Sequence, residues 1–305
     1  MINNLAELLS AAQKQSPVRV VVAGAHEPET LKAALSAREL KIAVSILVGD
    51  RDWITSILTK LGADPKDFEI NHEKDPARAA AAASDIVGRG QADILMKGGV
   101  ATAVFLHTAL GPPGELKSGL LSDIELYEDD RRQGCQLVIV SDGGINISPN
   151  IRQKLEIIRN AVKVAHALGI KSPRVALLSG SEKVHPDFQS TIDAVALVRM
   201  CQDGAVDRCV VDGPFALDNA IDINSARLKG IESPVAGNAD ILIVPNLEAG
   251  NIFCKGLQYY GNKLLIHVAV GAKVPILIDS RTAKADEKLH SIALAKIMRE
   301  VDKGN

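Results

Sequence analysis

Short apolar runs alternate with amphipathic stretches along nearly the whole chain. Val18 to Ala25 (VRVVVAGA), Ile42 to Val48, Asp93 to Met96, Gln136 to Val140, Val175 to Leu178 and Ala239 to Val244 are runs of strand length. Most lack the polar alternation of a half-exposed strand, which predicts burial on both faces of a parallel sheet. Between them, apolar residues recur every three or four positions. The N-terminus carries Leu5, Leu8, Leu9 and Ala12 on one helical face, and Pro28 opens a helix to about Glu39 with Leu31, Ala34 and Leu35 inward. Further helices are predicted from Asp52 to Leu61, from Pro76 to about Arg89, from Ala101 to Leu110, from Ser190 to Cys201 and from Asp286 to Val301. A long one is capped by Ser148-Pro149, with Ile151, Leu155, Ile158, Val162 and Ala165 inward. Gly62, Gly90 and Gly169 stop three of these segments. Shorter strands are expected at Phe68 to Ile70 and Cys209 to Val211. Such β-α-β alternation implies an α/β fold: mainly parallel sheet, covered by helices on both faces.

The stretch Pro234 to Asp279 concentrates the candidate chemistry. The strand Ala239 to Val244 ends at Pro245-Asn246, a short loop Leu247-Glu248-Ala249-Gly250-Asn251 follows, and Ile252 to Tyr260 is spaced as a helix. A strand-loop-helix joint leaves unpaired N–H groups at the helix start, where small anions bind. A second strand, Val274 to Ile278, ends in Asp279-Ser280-Arg281, a hydroxyl and a guanidinium at one tip. The two tips together predict one cleft for an anionic substrate.

Composition fits this class and removes others. The chain has 305 residues, room for two domains; it is 47% hydrophobic and 24% charged, with a formal charge of −2. There is no basic run for nucleic acid, no secretion signal and no apolar run of membrane-spanning length, so a cytoplasmic protein is expected. Cys135, Cys201, Cys209 and Cys254 are scattered with no C-x-x-C pair, as reduced thiols would be. Strand ends at Lys97-Gly98-Gly99, Asp142-Gly143-Gly144, Ser179-Gly180-Ser181 and Asp212-Gly213 join Asn246 and Ser280-Arg281 as candidate site positions. Neither a G-x-G-x-x-G turn in the first β-α joint nor a Walker loop, a metal-ligand cluster or a G-x-S-x-G elbow occurs, and no metal is expected.

Several segments together resemble one family. VPNLEAGNI with the preceding SPVAGNADI, ILVGD, ADILMKG, SDGGINISP, VALLS, VVDGPFALDNAI and SRTAKADEKLHSIALA are similar, in order, to segments of the phosphate acetyltransferase and phosphate butyryltransferase family. VDGPFALDNAI and LMKGG place the chain nearer the butyryl branch. The resemblance implies reversible acyl transfer between coenzyme A and inorganic phosphate, with coenzyme A as substrate, no permanently bound cofactor and a homodimer or larger homo-oligomer. It also implies two three-layer α/β/α domains, the second inserted into the first, with the active site between them: residues 1–134 plus 275–305, and 135–274.

The resemblance further implies roles. Ser280 would hydrogen-bond the reacting centre and Arg281 would hold the phosphoryl group. A general base stands seven residues after the serine in acetyl-type members; here that place is Glu287, with Asp286 beside it, and the two compete for the role. Lys97, Asn246, Gly250 and Asn251 are the accompanying substrate-binding positions. Two departures stand out. His107 occupies the place of an arginine in acetyl-type members, and weaker or pH-dependent phosphate binding there is the expectation. Lys117 in Leu116-Lys117-Ser118-Gly119 replaces an arginine of the butyryl branch and keeps the charge but loses the planar fork. Acetyl transfer, and a non-catalytic acyl-CoA-sensing domain, are the alternatives.

Overall fold

The structure is a computed structural model that describes residues 1–112, 114–131, 135–280 and 282–304, the last three by backbone alone. In chain order its elements are α1 (Leu5–Gln13), β1 (Val18–Ala23), α2 (Pro28–Glu39), β2 (Ala43–Gly49), α3 (Arg51–Lys60), β3 (Glu69–His72), α4 (Pro76–Gly88), β4 (Ile94–Lys97) and α5 (Thr102–Leu110). There follow β5 (Lys117–Asp129), β6 (Gln136–Ser141), α6 (Ile151–Ala167), β7 (Arg174–Leu178), α7 (Gln189–Gln202), β8 (Val210–Phe215), α8 (Leu217–Ile221), α9 (Ile223–Leu228), β9 (Ile241–Ile243), α10 (Leu247–Tyr259), β10 (Ile266–Ala272), β11 (Ile276–Leu277) and α11 (Ala285–Gly304). No helix among the described residues is long and apolar enough to cross a membrane.

Two compact units divide the chain. The first comprises residues 5–119 and 266–305. Its strands run in the order β3-β2-β1-β4-β11-β10, parallel except for β10, which is antiparallel to β11. The inner strands β1, β2 and β4 are buried along almost their whole length, as their apolar runs require, whereas the edge strand β3 buries only Ile70. α11 packs on α1, α2 and β10, while α4 packs on β1, β2, β4 and α5.

The second unit comprises residues 1–4 and 120–265. Its strand order is β5-β6-β9-β7-β8, with β5 antiparallel to β6 and the remaining neighbours parallel. Val138, Val140, Ala176, Leu178, Phe215, Leu242 and Val244 form its core with Cys254 of α10, and the Tyr127 ring meets Phe253 edge-on at 6.4 Å.

Local chemistry corrects several expectations. The long helix α6 is capped by Asn150, not Ser148: Asn150 Oδ1 accepts from Gln153 N, and Gln153 Oε1 accepts from Asn150 N, a reciprocal capping box. The segment Leu247 to Asn251, expected as a loop, is the first turn of α10. Asn246 starts it by accepting from Ala249 N at 2.9 Å. Strands β5 and β10 and helices α8 and α9 are additions to the elements that the hydrophobic pattern predicts.

Candidate active site

In the first unit the candidate residues collect at the carboxyl ends of β4 and β11. These strands pair in parallel, Met96 beside Leu277, so Lys97 and the segment entering Ser280 leave the sheet side by side. Lys97 is 3% exposed, and its ammonium donates to Gly98 O at 3.2 Å. Gly98 N and Gly99 N donate to Ala23 O and Gly24 O, drawing this joint onto the end of β1. A Cβ on Gly98 would collide with the Gly24 carbonyl, and one on Gly99 with the His26 ring. Glycine is therefore a packing requirement at position 98, where the obstacle is backbone, while at position 99 a side chain would have to displace the His26 ring.

Past β11, Asp279 is fully buried and its Oδ1 accepts from Ser291 Oγ of α11 at 2.9 Å; Ser291 Oγ in turn accepts from His267 N of β10. This latch fixes where the following residues emerge. Ser280 is half-buried, with its Oγ 3.0 Å from Thr282 Oγ1. Arg281 lies outside the described residues. The N-terminus of α11 is held by Glu29, whose Oε2 accepts from Ala285 N at 2.9 Å. The bond from Lys32, that from Ala285 and the nearby Lys288 charge together hold the Glu29 carboxyl below its ordinary value.

The two candidate bases occupy different environments. Glu287 is 3% exposed, and its Oε2 accepts from Lys284 N at 2.7 Å, as a carboxylate in the third helical position can. Asp286 is exposed, its Oδ1 lying 3.3 Å from Nδ1 of buried His290. Next to Glu287, Lys288 is 1% exposed, and its ammonium has no hydrogen-bond partner among the described residues. Sequence reasoning passed over Asp279, Glu29 and Lys288. Only the strand-end position of Asp279 marked one of them. His107 is exposed on α5, and Lys117 is exposed at the start of β5.

In the second unit two further candidate segments interlock. β6 and β9 pair in parallel, Ser141 beside Ile243, so Asp142-Gly143-Gly144 and Asn246–Asn251 leave the sheet as neighbours. Gly250 backs directly onto the other loop: a Cβ there would lie 2.8 Å from Gly143 Cα and 2.9 Å from Val244 Cγ2. Asn251 Nδ2 donates to Gly143 O at 3.3 Å. Asp142 organises the loop from within. Its Oδ1 accepts from Gly144 N and Ile145 N, and its Oδ2 from Asp123 N and Asn146 Nδ2. Burial, then the Asp123 charge, push the Asp142 carboxyl above its ordinary value. Glu125, also buried, accepts from Cys254 Sγ at 2.8 Å, and burial pushes that thiol far up. These buried acids sit beneath the two glycines, where any side chain at Gly143 or Gly144 would strike Glu125 or Asp123.

The family phosphate acetyl/butaryl transferase matches residues 51–296. The chain belongs to this family. The phosphate butyryltransferase of Clostridium beijerinckii is 41% identical over 98% of this chain and 98% of its own length. That of Clostridium acetobutylicum is 38% identical over 98% and 99%. A branched-chain phosphotransacylase from Enterococcus faecalis V583 has the same fold, with a TM-score of 0.82 and 28% identity over 92% of this chain and 99% of its own. The family match spans every candidate residue from Lys97 to Glu287.

Proposed function

We propose that this member of the phosphate acetyl/butaryl transferase family moves a short-chain acyl group, butyryl by preference, reversibly between coenzyme A and inorganic phosphate. The full-length similarity to phosphate butyryltransferases supports the reaction. The observation that carries the residue assignment is the β11–α11 connection. There a half-buried serine, Ser280, shortly precedes in sequence the start of α11 at Ala285, whose first turn bears Asp286 and Glu287.

In the direction of acyl-CoA synthesis, the coenzyme A thiol gives its proton to the acidic pair and the thiolate attacks the carbonyl carbon of the acyl phosphate. The tetrahedral intermediate collapses by breaking the carbon–oxygen bond to phosphate, which departs as inorganic phosphate. Ser280 donates to the oxygen on which charge develops, and Arg281 takes the phosphoryl group. Glu287 is the base of this proposal: its burial and its bond from Lys284 N at the helix start orient the carboxylate, whereas Asp286 is exposed and its carboxylate faces His290. Lys97, His107, Asn246, Gly250 and Asn251 are substrate-binding positions in the same reading. A homo-oligomer and a cytoplasmic location belong to it too, and Ile252, Tyr259 and Tyr260, all well exposed, supply apolar surface for self-association.

The test is a comparison of kcat/KM for butyryl-CoA and acetyl-CoA in the phosphate-dependent direction. A preference for butyryl of roughly tenfold or more is expected from two additional methylenes in an apolar pocket. A preference for acetyl would move the protein to the other branch.

A further inference from the structure

Two buried side chains of the first unit stand beside the proposed chemistry without taking part in it. Asp279, the residue before Ser280, is fully buried just past β11, and Ser291 of α11 is fully buried against it. The Ser291 hydroxyl donates to Asp279 Oδ1 at 2.9 Å and accepts from His267 N of β10 at 3.0 Å. Asp279 Oδ2 is buried as well and has no hydrogen-bond partner among the described residues. Holding a carboxylate there costs free energy that an apolar residue of similar size would not. Stability alone does not account for Asp279.

Its placement does. β11 ends at Leu277, so side chains rather than strand pairing must hold the residues that follow. The bond from Ser291 ties this strand end to α11, the helix whose first turn carries Glu287. At its start the same helix is fixed by Glu29 through Ala285 N. Ser280 and Glu287 are therefore set by two anchors on one helix, and the bond at Asp279 decides where the serine stands relative to the carboxylate. Rates depend steeply on such placement, and a displacement of about 1 Å can cost roughly 10²-fold.

We propose that Asp279, held by Ser291, is a positioning residue that keeps Ser280 aligned with Glu287 for acyl transfer. This rests on the acyltransferase reading and adds to it a fully buried pair that governs kcat through Ser280.

The test is a double-mutant cycle in the full chain, with Ser291→Ala and Ser280→Ala made singly and together. The readout is kcat and KM for phosphate-dependent thiol release from butyryl-CoA. Ser291→Ala is expected to lower kcat roughly 10- to 100-fold while KM stays within about threefold. In the Ser280→Ala background the same change is expected to cost less than about threefold, because the group it positions is gone. Asp279→Asn keeps an acceptor for Ser291 Oγ and is expected to retain at least about a third of kcat. Ser291→Cys keeps the volume and weakens the bond, and it replaces Ser291→Ala in the cycle if thermal unfolding shows that alanine is not tolerated.

A loss by the same factor in both backgrounds is what a merely structural role gives, and it overturns the proposal. So does Ser291→Ala with unaltered kcat, or Asp279→Asn as impaired as Ser291→Ala. Full activity in Ser280→Ala, or no thiol release from the unaltered protein, would sink the acyltransferase reading and this proposal together, whereas the other outcomes touch the proposal alone.

Discussion

The Glu287 carboxylate accepts a hydrogen bond from the Lys284 backbone N–H at 2.7 Å, closing the first turn of α11. One side chain thus caps a helix and stands where the proposed reaction needs a base, and the two roles can be separated. Glu287→Gln keeps an acceptor for Lys284 N, so it is expected to unfold near the unaltered protein while kcat falls about 10²- to 10⁴-fold. Glu287→Ala loses both roles and about 1–2 kcal/mol of stability besides. Thermal melts beside kcat decide it. A Glu287→Gln enzyme with near-normal kcat would transfer the base role to Asp286.

The Gly250 contact predicts a stability effect far from Ser280 in sequence. A methyl at position 250 would press on Gly143 Cα and Val244 Cγ2, both parts of a packed joint that cannot easily retreat. Gly250→Ala is expected to cost roughly 1–3 kcal/mol in urea unfolding. Gly256, on the same helix, has open space where a methyl would stand, with nothing within 4 Å. Gly256→Ala is therefore expected to be neutral or stabilising, by up to about 1 kcal/mol. Equal effects at the two positions would contradict the interlocked-loop description.

Glu29 gives a pH dependence with a defined sign. Its carboxyl is held below the ordinary value of 4.5 by Lys32, Ala285 N and Lys288. A depressed carboxylate stabilises the folded state above its unfolded-state pKa, and that contribution disappears as pH falls through the folded value. Glu29→Gln should therefore melt earlier than the unaltered protein at neutral pH, by less than about 1 kcal/mol because the ion pair with Lys32 is well exposed. The difference should vanish in acid. A difference that grows on acidification would reverse the sign of this assignment.

His107 is a proposed phosphate-binding position, exposed on α5. The KM for phosphate is expected to rise severalfold in His107→Ala and to stay near or below the unaltered value in His107→Arg, whose planar fork can grip a phosphate through two donors. Identical KM values in all three proteins would remove His107 from phosphate binding.

Much of this architecture is legible in the chain. The continuous apolar runs at Val18, Ile42 and Val175 became buried parallel strands because both faces of those strands are covered. What stayed hidden has physical reasons. β5 buries Ser122, Asp123, Glu125 and Asp129, so its polar residues disguise a strand whose acids serve the loop above. β10 and β11 are separated only by the turn at Lys273–Pro275, and the pattern yields one strand there, Val274 to Ile278, leaving β10 unread. The first turn of α10 contains Gly250, a poor helix former retained for its contact with Gly143, so local propensity reads it as loop. Ser280, Asp286 and Glu287 were nominated through one short segment that resembles the family. Asp279, Glu29 and Lys288 were not, because their roles come from contacts among β10, α2 and α11.

The most direct test is phosphate-dependent release of free thiol from butyryl-CoA, measured for the unaltered protein, Ser280→Ala and Glu287→Gln. The account predicts robust release that requires phosphate and falls at least about 10²-fold in both variants. No release from butyryl-CoA, acetyl-CoA or another short-chain donor, in a protein shown to be folded, would contradict it.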